Sequence, residues 1–271
     1  MALPAGPDSA QKEADLAAAR ADLARSPNDP EKIIWVGRRL GYLWRMREAI
    51  AVYTDGVRAH PERAALYRHR GHRYISTRQF TAAIADLERA AQLLRGRPEE
   101  IEPDGVPNAR NIPLTTTAFN VWYHLGLARF LTGDYEGAVT AYGETMAHAR
   151  GHADNLVAAS DWMYMALCRL GRRQEAARLL DPITTDMEII ENSAYHRRLL
   201  LYKGELLPGQ ILDPGVASSL EVATLGFGLG NWYLDRGDSE RARELFRQVV
   251  ATGQWPSFGF IAAETELART R

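Results

Sequence analysis

Gly37 and Gly71 stand 34 residues apart, and each opens the same pattern. Gly37 is followed by Ala49 at +12 and Tyr53 at +16, and Gly71 by Ala83 and Leu87 at the same offsets. Gly126 gives Gly133, Ala138 and Tyr142 at +7, +12 and +16, and Gly230 gives Gly237, Ala242 and Phe246. A fixed period near 34 predicts stacked helical hairpins, each contacting only its neighbours. Two antiparallel helices approach closely only where facing side chains are nearly absent. The Gly and Ala slots therefore mark contact points, and the ring or Leu at +16 is expected to fill the layer between neighbours.

With the small slot of each first helix as marker, the series runs Gly37, Gly71, Gly126, Tyr164, Arg197, Gly230 and Glu264. Its fourth and fifth members are degenerate, but turn glycines at +7, Gly171 and Gly204, support their register. The long interval between Gly71 and Gly126 holds an insertion with Pro98, Pro103, Pro107 and Pro113, which predicts a loop over about 95–118. Residues 1–8 read as a disordered lead. Ser9 to Arg25 reads as a capping helix, stopped by Pro27 and Pro30. The expected organisation is thus a lead and cap over 1–29, then a single solenoid over 30–271. That solenoid would hold about six hairpins and a C-terminal capping helix near Ser257 to Arg269.

The 271 residues are 46% hydrophobic and 25% charged, a globular balance that is long for one compact core but suits a solenoid. A net charge of −1 excludes a globally polyanion-binding surface. Residues 31–80 nevertheless hold eleven Lys or Arg against four acids, a local net +7. The lone Cys168 precludes an internal disulfide, and no apolar run reaches membrane-spanning length. Met1 to Asp8 lacks the charged and apolar regions of a secretory signal, and the compartment stays open.

Trp122, Leu125-Gly126, Gly133-Asp134-Tyr135, Ala138 and Tyr142 together make the chain resemble the tetratricopeptide repeat family. Residues 30–94 supply two further repeats and 223–254 another. The resemblance implies an all-α fold, a right-handed superhelix of antiparallel helix pairs whose first helices line a concave groove. It also implies a protein–protein interaction scaffold without catalysis. Asn108 to Asn111, Trp122 to His124, Asp186 to Ile190 and Ala194 to His196 resemble a bacterial subgroup of such proteins.

In that geometry, residues three and two before each marker and one after it point into the groove. They include Ile34, Trp35 and Arg38, then Arg68, His69 and His72, then Tyr123, His124 and Leu127, then Asp161, Trp162 and Met165. The expected partner-binding set is Trp35, Arg38, Arg68, His69, His72, Tyr123, His124 and Trp162. Aromatics would anchor a protein or peptide, and arginines would orient an acidic group on it. The inserted loop, with Asn108, Arg110 and Asn111, would gate the groove or occupy it. The family's carboxylate clamp for chaperone tails is not matched, since Arg38, Arg68 and His72 stand beside Ile34.

His69, His72 and His124 invite a metal, but no carboxylate at helical spacing completes the set, so neither metal nor cofactor is expected. Gly226-x-Gly228-x-Gly230 follows no strand and is read as helix packing. No HExxH, phosphate-loop or nucleophile-elbow motif is present, and the chain reads as no enzyme. Two alternatives remain. One is single-stranded RNA on the basic N-terminal half, where Trp35, Tyr42, Trp44, Tyr67 and Tyr74 could stack bases. The other is self-association through exposed apolar faces of the end helices.

Overall fold

The computed structural model describes residues 7–212 and 217–269, so most of the expected lead at 1–8 lies outside the described residues. Thirteen α-helices occur among the described residues. They are α1 (Pro7–Arg25), α2 (Pro30–Tyr42), α3 (Met46–Ala59), α4 (Ala64–Ser76), α5 (Phe80–Leu94), α6 (Thr117–Thr132) and α7 (Tyr135–Ala147). Then follow α8 (Ala153–Arg169), α9 (Arg173–Leu179), α10 (Ser193–Lys203), α11 (Ser219–Asp235), α12 (Ser239–Ala251) and α13 (Phe258–Arg269). Hairpins α2–α3, α4–α5, α6–α7, α8–α9 and α11–α12 stack, with α2, α4, α6 and α8 touching in a row as the inner wall. The architecture is an α-solenoid of antiparallel helix hairpins.

Local chemistry sets the helix ends. Asp29 accepts the Glu31 and Lys32 backbone N–H groups at the start of α2, with Pro30 in the first turn, where no donor is needed. The Gly133-Asp134 and Gly237-Asp238 pairs end one helix and start the next. Each glycine takes a left-handed φ, of 86° and 81°, and each aspartate caps the second helix of its hairpin.

The marker glycines are sites of direct contact. A Cβ at Gly37 would stand 2.3 Å from the Tyr53 ring, one at Gly126 2.8 Å from Tyr142, and one at Gly230 2.4 Å from Phe246. The +16 side chain therefore lies on the marker glycine of its own hairpin, and Tyr53 also stacks 5.8 Å from His69 of the next one. Ala49, Ala83, Ala138, Ala176 and Ala242 at +12 are all buried.

Two expectations are corrected. The fifth repeat has α10 but no second helix among the described residues, because its +12 slot, Gly209, lies in a 3-10 turn at Pro208–Gln210. Helix α13 does more than cap an end. It packs on α11 and α12 and turns back to reach α6, with Arg269 donating to the Phe130 and Leu131 carbonyls at 3.2 and 2.7 Å.

Candidate partner-binding wall

The inserted segment forms a strap across the inner wall. Its two arms join where Glu102 N–H donates to Thr115 O at 3.0 Å and Thr117 N–H to Glu100 O at 2.9 Å. From there the strap crosses α4 and α2. Glu102 meets the Arg68 guanidinium at 2.8 Å, each side chain 8% exposed, and His69 Nε2 stands 4.0 Å from the same carboxylate. Arg38 donates to Pro103 O at 2.7 Å and Arg39 to Gly105 O at 3.4 Å. Glu102 Oε2 and Arg68 Nε, both buried, have no hydrogen-bond partner.

At the strap's far end Asn108 closes a turn, accepting from Arg110 N–H and Ile112 N–H and donating to Ile112 O at 2.6 Å. Asn111 sits in that turn with φ 51°. Asn108 also donates to Glu191 at 2.5 Å, and Arg110 pairs with Glu188. The segment carrying those acids is fixed by buried Asp154, whose carboxylate accepts the N–H groups of Ile190, Glu191 and Asn192 at 2.7 to 2.9 Å.

The other expected wall residues meet the C-terminal segment. His72 and His124 rings lie 4.4 Å apart, and Phe258 packs at an angle to both, at 5.3 and 5.6 Å, and to Tyr123 at 6.4 Å. Tyr123 donates to the Tyr195 hydroxyl at 3.4 Å. Two expected wall residues need correction. Trp162 is fully buried, stacked 5.7 Å from Phe227 beside the Arg198–Asp161 ion pair, so it meets no partner in this conformation. Gly228 makes that burial possible, since a Cβ there would meet Arg198 Nε at 2.3 Å. Trp35 lies under the Arg38 and Arg39 guanidiniums, at 4.7 and 5.1 Å, and lines a crevice against α1.

Electrostatics follow from this burial. Desolvation, reinforced by Arg68, Arg38 and Arg73, holds His69 well below the usual imidazole range. His72 and His124 are lowered in the same way, first by burial and then by neighbouring cations. Neutral imidazoles fit their contacts: His69 Nδ1 accepts from Arg68 at 2.9 Å, and His124 Nδ1 donates to Asn120 O at 2.5 Å. Among the described residues no group of three or more His, Cys, Asp or Glu is placed to hold a metal ion. Burial raises the Cys168 thiol to about 11, which disfavours its thiolate.

The basic half is largely neutralised by acids, most of them from elsewhere in the chain. Arg39 pairs with Asp15, Arg63 with Glu31 and Glu100, Arg70 with Asp86, and Arg78 with Glu264. The phosphate-tracking stripe expected for RNA is thus broken up. The expected apolar faces of the end helices are also covered. Leu16 of α1 is buried on α2, and Phe260, Ile261, Ala262 and Ala263 of α13 are buried within the chain. No described helix is long and apolar enough to cross a membrane.

Sequence reasoning missed Glu102 and Phe258, the two side chains that cover the wall. It named Trp44 only as a base-stacking ring and did not pair it with Arg78, although a signal existed: both stand at +7, the slot that is glycine in four other repeats.

The fold and this wall define a helical-repeat protein, and comparison places its relatives. The sequence model described as Tetratricopeptide repeat matches residues 224–258. No curated protein sequence matches the chain. A solved tetratricopeptide repeat protein from Parabacteroides merdae is similar with a TM-score of 0.53 at 14% identity, over 94% of this chain and 93% of that one. YrrB, described as a TPR protein with an unusual peptide-binding site, aligns at 16% identity and TM-score 0.46, over 92% of this chain and 97% of its own. The MamA protein aligns at 19% identity and TM-score 0.48, over 76% and 91%. The repeat match and the shared fold support the resemblance to the tetratricopeptide repeat family.

Proposed function

We propose that the chain is a non-catalytic scaffold for protein–protein interaction. A protein or peptide segment with an acidic group would dock on the wall of Arg38, Arg68, His69, His72, Tyr123 and His124, and the chain's own strap holds that place in the free protein. One observation carries this: Glu102 sits on Arg68 as an acidic ligand would, yet leaves one carboxylate oxygen and Arg68 Nε without partners. Buried orphaned groups cost about 1–3 kcal/mol each, and an Arg–carboxylate fork satisfies both at once. A ligand carboxylate seated in that bidentate geometry outcompetes the strap.

The test is recovery of bound protein in a pull-down with wild type, Glu102→Ala and the double variant Arg38→Glu/Arg68→Glu, with folding followed by circular dichroism. Glu102→Ala is expected to raise recovery, because the competing carboxylate is gone, and the double variant to abolish it. Equal recovery from all three folded proteins removes the wall as the docking site.

A further inference from the structure

Six turns close the first helices of the repeats at +7 from the marker, and all six have a left-handed backbone. Gly133, Gly171, Gly204 and Gly237 occupy four, with φ of 86°, 73°, 88° and 81°. The first two hold Trp44 and Arg78, each at φ 61°. A side chain with a Cβ costs roughly 1–2 kcal/mol in this conformation, and glycine does not. Strained positions of this kind concentrate at ligand clamps, where the surroundings hold them. Here the two strained residues converge on one place.

Trp44 and Arg78 border a cleft of about 650 Å³, closed on its far side by Trp255 from the segment leading into α13. The Trp44 and Trp255 rings meet edge to face at 5.9 Å, with Met46 beside them. Arg78 donates to Trp255 O at 2.8 Å and to Glu264 at 2.8 Å. Arg45 is occupied by Glu48 through bonds of 2.7 and 2.5 Å. Both acids at the cleft are therefore already paired. Arg47, exposed at its rim, has no acidic partner among the described residues.

We propose that this cleft is a second docking site, one that takes an apolar, preferably aromatic, side chain flanked by carboxylates on an acidic peptide segment. The volume lies within the range of ligand pockets, about 300–1,000 Å³. The two half-buried tryptophans supply the apolar surface on which such anchors bind, over buried Met46. The unbalanced Arg47 supplies the charge complement. The site shares no residue with the Arg68–Glu102 wall and stands without the function proposed above. Because Trp255 arrives with the C-terminal segment, a ligand here binds only the closed molecule and stabilises it by mass action.

The probe is the peptide acetyl-Glu-Glu-Phe-Glu-Glu-amide, titrated at low ionic strength by calorimetry and by intrinsic tryptophan fluorescence. Saturable binding to wild type is expected, weakened about tenfold or more when Phe is replaced by Ala or the four Glu by Gln. Trp44→Gly installs the residue used by four other repeats, so the turn survives while the ring is lost. Arg47→Glu alters an exposed side chain with no partner and keeps the test sound should Trp44→Gly fold poorly. Each is expected to weaken the probe about tenfold or more, and Arg68→Ala to leave it unchanged. No saturable binding to wild type overturns the proposal, as does wild-type affinity in Arg47→Glu. Loss in Arg68→Ala alone moves the probe to the inner wall and overturns it equally.

Discussion

Individual residues carry most of the tension in this molecule. Arg198 and Asp161 are both fully buried and 2.9 Å apart, and the guanidinium also lies 5.6 Å from the Trp162 and Phe227 rings. Burial pushes the Asp161 carboxyl up to about 7, with Arg198 opposing that rise. An acid raised in the folded state contributes stability at low pH that is lost as pH rises through its folded pKa. Without Arg198 the carboxyl rises further. Arg198→Met is therefore expected to cost more at pH 9, about 3–5 kcal/mol for a broken buried pair, than at pH 6, where Asp161 is protonated either way. Urea denaturation of both proteins at the two pH values reads the difference, and equal costs would show that the carboxyl does not titrate there. The chemistry of these positions was only partly legible. Offsets from Gly71 name Arg68 and His69, but nothing local announces that Glu102, in a proline-rich insertion, sits opposite them. Trp162 shows the opposite failure. Its offset is that of a wall residue, and its burial depends on Arg198 and Gly228, one and two repeats further on.

Among the elements, the hairpins were readable because close packing leaves little choice. Gly126 sits under Tyr142 and Ala138 is completely buried, so no larger residue fits either slot. Ala138→Leu is expected to lower stability by roughly 1–3 kcal/mol through overpacking, measured as a fall in the urea midpoint at unchanged slope. The fifth repeat escaped that logic: Gly209 matches the small-residue pattern, yet it sits in the short 3-10 turn Pro208–Gln210. Helix α13 was legible as a helix but not in its destination, which depends on the curvature summed over every preceding hairpin. Its polar hold on the first repeats runs through Arg78, beside the contact of Phe258 with His72. Arg78→Ala should speed amide hydrogen exchange across Phe258–Arg269 while α4 and α5 keep their protection, because the loss falls on the docking and not on the hairpin. Uniform exchange in variant and wild type would mean that the Arg78–Glu264 pair adds nothing to the hold that Phe258, Arg269 and the last hairpin already give α13.

At the scale of the whole molecule, the strap and α13 approach the inner wall from different parts of the chain, and the neutral histidines lie where they meet it. His69, His72 and His124 are held below their ordinary value of 6.5. A base lowered in the folded state contributes stability that is complete above its unfolded pKa and is lost as pH falls below it. Asp161 works in the opposite direction, but three imidazoles outweigh one carboxyl. The thermal midpoint is expected to be lower at pH 5.5 than at pH 7.5 at constant ionic strength. A higher midpoint at pH 5.5 would make Asp161 the dominant group.

An open helical array behaves like a spring, since each coil touches only the next and either end can fray alone. In this chain Arg78, near the start of the series, grips Glu264, near its finish, and Arg269 is tied to the middle at Phe130 and Leu131. Such a clasp turns the spring into a ring. Melting of a terminal coil then requires the clasp to release, so distant repeats lose structure together rather than in sequence.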